Sequence, residues 1–167
     1  MKLRTGFAAA VMALFAFTDA NAGKHWVATW ATAEQVVEPH NCPPAPGLEG
    51  NSIRQIVQTS ISGKTVRVKF SNEMSKVPVE INAAEIAIAL TAGSSSDIDE
   101  KSQVSLTFGG SASVTIQPGE LVTSDPIKFP MTTRQNVAIT MHMGKASSTD
   151  VTGHPGSRTD SYIAVGQ

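Results

Sequence analysis

From Ser52 onward the chain repeats one pattern: short runs in which apolar and polar residues alternate with a period of two, separated by turn-forming Gly, Pro and Ser. Ile53, Gln55, Val57, Thr59 and Ile61 interleave with Ser52, Arg54, Ile56, Gln58 and Ser60, which predicts a strand with one mostly apolar face. After the tight turn Ser62-Gly63-Lys64, Val66, Val68 and Phe70 alternate with Thr65, Arg67 and Lys69, and the two runs are expected to pair as an antiparallel hairpin. Val79 to Leu90 reads as a strand with a bulge near Ala84-Glu85. A Ser-rich loop, Gly93 to Asp99, is followed by short strands at Val104–Phe108, Ser113–Ile116 and Leu121–Thr123, with turns at Gly109-Gly110 and Pro118-Gly119. Asn136–Met143 and Tyr162–Val165 complete the series. Eight or nine short strands of this kind predict an all-β fold, a two-layer antiparallel β-sandwich of jelly-roll-like form. Composition agrees, because 5% aromatic residues with 13 Gly suit a turn-rich β domain better than a helical bundle.

The beginning of the chain reads differently. Lys2 and Arg4 precede an apolar run, Phe7 to Phe17, and Ala20-Asn21-Ala22 offers small residues at both positions of a cleavage signal. The run is too short to span a bilayer of roughly 30 Å. Residues 1–22 are therefore expected to be a cleavable signal peptide, residues 23–167 one β-sandwich domain, and the protein secreted or periplasmic, with no membrane span. Glu38 to Gly50, broken by three prolines between 43 and 46, reads as a loop joining an N-terminal strand to the main sheet. Cys42 is the single cysteine, so no intrachain disulfide is possible and the fold must stand on its core. With no His or second Cys beside it in Asn41-Cys42-Pro43-Pro44, it reads as a passive loop thiol.

Charge excludes several function classes. Thirteen Lys plus Arg against fourteen Asp plus Glu, with no block of one sign, disfavour a nucleic-acid or polybasic membrane binder. Gly63-Lys64-Thr65 imitates the end of a phosphate-binding loop, but Gln58 stands where that motif needs Gly, and a strand follows instead of a helix. No serine lies in G-x-S-x-G. Gly50-Asn51-Ser52-Ile53-Arg54 comes nearest and ends in Arg54, so Ser52 is read as opening a strand. His25, His40, His142 and His154 match no metal-ligand spacing, and no cofactor or metal is expected. His142 falls on the polar face of a strand, satisfied by solvent or a cross-strand partner. His154 lies in the loop Thr152-Gly153-His154-Pro155-Gly156-Ser157-Arg158, whose hydrogen-bonding groups suit contact with a ligand or a neighbouring domain. Trp26 and Trp30, four apart on an expected strand, share a face. Exposed they would form a stacking platform for sugar rings; buried they anchor a core, the preferred reading because large aromatics dominate core energetics.

Taken in order, Trp26-Val27-Ala28-Thr29-Trp30, Gly50-Asn51-Ser52-Ile53-Arg54-Gln55, Val68-Lys69-Phe70-Ser71-Asn72, Leu106-Thr107-Phe108-Gly109-Gly110, Ser124-Asp125-Pro126 and Thr152-Gly153-His154 resemble the N-terminal β-domain of secreted bacterial SGNH (GDSL-type) hydrolases. The likeness runs from Trp26 to Tyr162 and rests on the number and order of the blocks. In that family the sandwich precedes an α/β/α catalytic domain that begins with a Gly-Asp-Ser block and ends with an Asp-x-x-His block. Neither block occurs here, and Asp150 with His154 has one residue too many between them, so no catalytic residue carries over. The resemblance implies a non-catalytic accessory domain of a serine esterase acting on acylated carbohydrate or lipid. Its partner would be the SGNH-type catalytic domain, in cis or in trans, since the chain stops at Gln167, roughly where the linker is expected. The alternative is a free-standing carbohydrate-binding module with polysaccharide as partner. Trp26, Trp30, Arg54, Gln55, Asn72 and His154 are the candidate interface or ligand contacts, with a structural role open for Arg54 and Asn72 as buried polar groups.

Overall fold

The computed structural model describes residues 25–157 and 159–166; the expected signal peptide lies outside them. Its strands are β1 (Gln35–Val36), β2 (Ser52–Gln58), β3 (Gly63–Val66), β4 (Lys69–Ser71), β5 (Val79–Ala89), β6 (Ile98–Leu106), β7 (Val114–Ile116), β8 (Leu121–Thr123), β9 (Ile127–Met131), β10 (Asn136–Met143), β11 (Thr152–Gly153) and β12 (Ser161–Ala164). One layer is a six-stranded sheet in the order β12-β2-β10-β5-β6, with β7 beside the first residues of β5. The other is built from the two-stranded ladders β3-β9 and β4-β8, and a short β1-β11 pair ties the N-terminal segment to the last loop. All the pairings are antiparallel. The chain passes back and forth between the layers, giving the all-β, two-layer antiparallel arrangement that the alternating pattern predicts.

Alternation sets which side chains meet between the layers. Val66, Phe70 and Phe129 of the second layer pack on Ile81, Ile86, Leu106, Val137 and Ile139 of the first, and the Phe70 and Phe108 rings meet edge to face at 5.7 Å. The expected inward row Val66, Val68, Phe70 holds, although the run divides into β3 and β4 at Arg67-Val68. A second, smaller cluster, Ile56, Ala89 and Ala138 with Ile98 and Tyr162, lies on the opposite face of the six-stranded sheet.

Several expectations need correction. β2 and β3 do not form a hairpin, because β2 is paired by β10 and β12 and β3 pairs with β9 in the other layer. Thr59 is locked to the turn before β10, its N–H and hydroxyl reaching Gln135 O and Thr132 O, and no residue from Thr59 to Lys64 takes the positive φ of a tight hairpin turn. The bulge in β5 falls at Asn82 against β10, with a second register shift at Ala87 against β6, rather than at Ala84-Glu85. Trp26 to Trp30 form no strand. β9 was hidden by Pro126 and Pro130; Pro130 is tolerated because β9 is paired on one side only. β6 begins at Ile98, so the polar run Asp99–Gln103 is an edge strand rather than the end of a loop.

Asp125 fixes one of the turns. Its carboxylate accepts the Thr107 hydroxyl at 2.7 Å and the N–H groups of Gly109 and Gly110 at 3.1 and 2.8 Å, where both glycines have positive φ. The Thr107 hydroxyl, and then the Gly110 N–H, hold its pKa below the ordinary 3.8. Asp125 thus adds stability that is complete above 3.8 and is lost as pH falls through its lowered native value. Asp125→Asn is expected to melt below wild type at neutral pH, with the difference shrinking toward about pH 2 in thermal melts; an unchanged difference across that range would refute the assignment.

Candidate functional site

The inward row of β2 reads Ile53, Gln55, Val57, each matched across the strands by apolar or small neighbours: Met141 and Ile163 beside Ile53, Ile139 and Ser161 beside Gln55, Val137 beside Val57. The second layer leaves Ile53, Val57, Met141 and Ile163 only half-buried. These residues floor an open cleft of about 1930 Å³, walled by the N-terminal segment and by the loops around residues 62–74 and 147–155. The N-terminal segment is held across it by Thr29, bonded to Ser60 and Ile61, by Glu34, which accepts the Ser71 hydroxyl, and by the β1-β11 pair.

Five of the six candidate residues line this cleft: Trp26, Trp30, Gln55, Asn72 and His154. Gln55 is a polar residue in an apolar row, and its amide nitrogen lies 3.3 Å from His154 Nε2 and 3.5 Å from Ser161 Oγ. The contact ties the loop that carries His154 to the middle of β2. Trp30 meets the His154 ring edge to face at 5.8 Å. Trp30, His154, Gln55 and Ser161 together place an aromatic surface and several hydrogen-bonding groups at one end of an apolar trough, the composition of a small-molecule site.

The tryptophans are not the core anchors that the sequence predicts: Trp26 is 42% and Trp30 39% exposed. The segment that carries them forms no strand and lies over the cleft instead of between the layers. Trp26 has one ring face covered, with the Arg67 guanidinium 3.9 Å from the ring centre. Asn72 is 3% exposed and fully engaged, donating to Val77 O at 2.8 Å and Ile116 O at 3.1 Å, so its role is to hold the loop after β4.

Arg54 stands apart. It faces the other side of the sheet, where Nε donates to Thr140 Oγ1 and a terminal nitrogen to Ser96 O, both at 2.7 Å, tying the loop after β5 onto the sheet. His142 lies on that face too, with Nδ1 2.8 Å from Ser52 Oγ and Nε2 3.5 Å from Glu85 Oε2. The trio has the residue types of a hydrolytic triad but not its arrangement: the imidazole turns Nδ1 to the serine and Nε2 to the acid, and Ser52 is 8% exposed and also donates to Gly166 O. It is a cross-strand relay joining β2, β10 and β5, of the kind expected for His142.

Ser161 was missed by sequence reasoning; the signal was Gln55, whose place in an apolar row demands polar neighbours. Among the described residues no group of three or more His, Cys, Asp or Glu converges as a metal site, and no helix is long and apolar enough to cross a membrane. Neither the protein-family models nor the curated proteins compared with this chain give a match.

Because Arg54 acts on the face opposite the cleft, Arg54→Ala is expected to cost about 1–3 kcal/mol in urea denaturation while leaving native tryptophan fluorescence unchanged. A stability equal to wild type would remove its structural role.

Proposed function

We propose that this chain is a non-catalytic accessory β-sandwich of an exported SGNH-type esterase, a domain that docks on the catalytic unit and shapes access of an acylated substrate. One observation supports this most: blocks far apart in sequence, around Trp26–Trp30, Gln55, Phe70–Asn72 and Thr152–His154, which carry the resemblance to that family, line a single half-open cleft. The half-buried apolar floor of that cleft suits a surface that a partner or substrate covers. The reading predicts that the coding sequence beyond codon 167 carries a Gly-Asp-Ser block and, farther on, Asp-x-x-His, and that the chain alone hydrolyses p-nitrophenyl acetate no faster than a heat-denatured control. An unrelated gene downstream, or turnover by the purified chain, would overturn it.

A second reading, a carbohydrate-binding module, is favoured by the exposure of Trp26 and Trp30 beside the cleft. Retention of the chain on acetylated plant polysaccharide, lost in Trp30→Ala, is its expected result. Absence of retention for wild type dismisses it.

A further inference from the structure

The formal net charge of -1 conceals a separation of charge that the fold brings out. Between Glu49 and Glu73, and again between Asp125 and Asp150, no Asp or Glu occurs, whereas residues 77–100 hold Glu80, Glu85, Asp97, Asp99 and Glu100 and no Lys or Arg. The two acid-free stretches meet in space, because β3 pairs with β9. Val66 and Phe70 face the core, as do Ile127 and Phe129, so Thr65, Arg67 and Lys69 of the first stretch and Lys128 of the second point outward. Thr65 is the cross-strand partner of Lys128, which sets Lys128 level with the run from Lys64 to Arg67. Arg134 lies in the turn after β9, where its N–H donates to Thr59 O. Lys64, Arg67, Lys69, Lys128 and Arg134 are all exposed, and among the described residues none of their side chains is paired with an acid. In the residues outside those described, Asp19 is the one acidic side chain. The positive row ends at Ser71, whose hydroxyl donates to Glu34 and Glu73.

An aromatic ring belongs to the same patch. The Arg67 guanidinium lies 3.9 Å from the centre of the Trp26 ring, and Lys64, Arg67, Lys69 and Trp26 form part of the wall of the cleft. Paired N–H groups of a guanidinium hold a carboxylate in a fork that an ammonium cannot form. Trp26, partly exposed, offers apolar ring surface beside that fork. A uronic acid ring carries both complements on one residue, a C–H face and a carboxylate. Thr65 to Lys69 covers roughly 13 Å of extended chain, so the cations are set out in a row that matches charges repeated along a polymer better than one compact anion. We propose that this wall of the cleft binds an acidic polysaccharide of the uronate type, with a sugar face on Trp26, its carboxylate in the Arg67 fork, and neighbouring carboxylates on Lys64, Lys69 and Lys128. The proposal rests on the carbohydrate-binding reading and narrows it to charged glycans. The acid-rich stretch in β5 and β6 repels such a chain, which favours the β3-β9 side.

The test is isothermal titration of the full chain with polygalacturonate and polymannuronate, with cellohexaose as the neutral glycan and with phosphatidylglycerol vesicles and a thymidine oligonucleotide as other anionic probes. At least one polyuronate is expected to bind wild type more tightly than any of the other three. Raising NaCl from about 0.1 M to about 1 M is expected to release it, because the screening length falls from about 10 Å to about 3 Å. Lys64→Glu, Lys69→Glu and Lys128→Glu are each expected to weaken that binding about 2- to 5-fold, and the triple variant to abolish it. Arg67→Lys, which keeps the charge and loses the fork, is expected to weaken it about 5- to 10-fold. Lys101→Glu, an exposed cation of β6 outside the patch, is expected to bind as wild type. Melting temperatures close to wild type for these surface variants show that the fold is intact. Equal weakening in Lys101→Glu and Lys128→Glu, or none in the triple variant, overturns the patch. Vesicles or the oligonucleotide binding as tightly as the polyuronates overturn the glycan as its partner. If wild type binds cellohexaose and neither polyuronate, the acidic-glycan proposal falls and the carbohydrate-binding reading stands. If no glycan binds, both fall together.

Discussion

The placement of β10 between β2 and β5 is the constraint on which the rest of the molecule depends. Seven residue pairs join it to β2 and another seven to β5, and Val137, Ala138, Ile139 and Thr140 are all buried. With both edges hydrogen-bonded, its side chains sort the interior. Val137 and Ile139 point into the core shared with Phe70 and Phe129, whereas Ala138 and Thr140 point to the opposite face, where Ile56 and Arg54 meet them. A register slip of one residue would exchange those faces and bury Thr140 among the phenylalanines.

The cleft follows from this arrangement. The second layer consists of short ladders, β3-β9 and β4-β8, that cover the β10-β5 side of the main sheet more fully than the β2-β12 side. Over β2 and β12 the apolar row is therefore only half-covered, and the N-terminal segment crosses the remaining gap with its two tryptophans exposed. The two faces of the sheet differ in chemistry. On the outer one, Arg54, Thr140, Ser52, His142 and Glu85 bond to each other or to a covering loop and so satisfy themselves; on the inner one, Gln55, His154 and Ser161 converge beside open space. Recognition chemistry belongs to the second kind of surface, because its polar groups border open space that a ligand can enter.

Much of the strand content was legible from the residues. Asn136–Met143 and Leu121–Thr123 fall where alternation put them, and the Gly109-Gly110 and Gly119 turns have the positive φ that glycine is needed for. β9 was not legible, because its prolines imitate a break and become acceptable only on a singly paired strand. Nor was the first part of β6, whose run Asp99–Gln103 has no apolar alternation and is a strand because β5 offers it an edge; its last residues, Val104–Leu106, fall where alternation put a strand. Of the candidate site, Gln55 and His154 were selected as residues on a block and a loop; that they meet, and that Ser161 joins them, is a matter of how β12 docks on β2.

The sequence by itself determined an all-β chain, the faces of its strands, the positions of most turns and that no disulfide closes within these residues, since period, turn chemistry and cysteine count are local properties. Only the tertiary structure decided which strand pairs with which, whether Trp26 and Trp30 are buried, and where polar groups converge. A strand has two equivalent edges and an exposed indole has the same local sequence as a buried one. Both choices are made by contacts between residues a hundred positions apart, such as Gln55 with His154 and Ser161, which the local pattern does not encode.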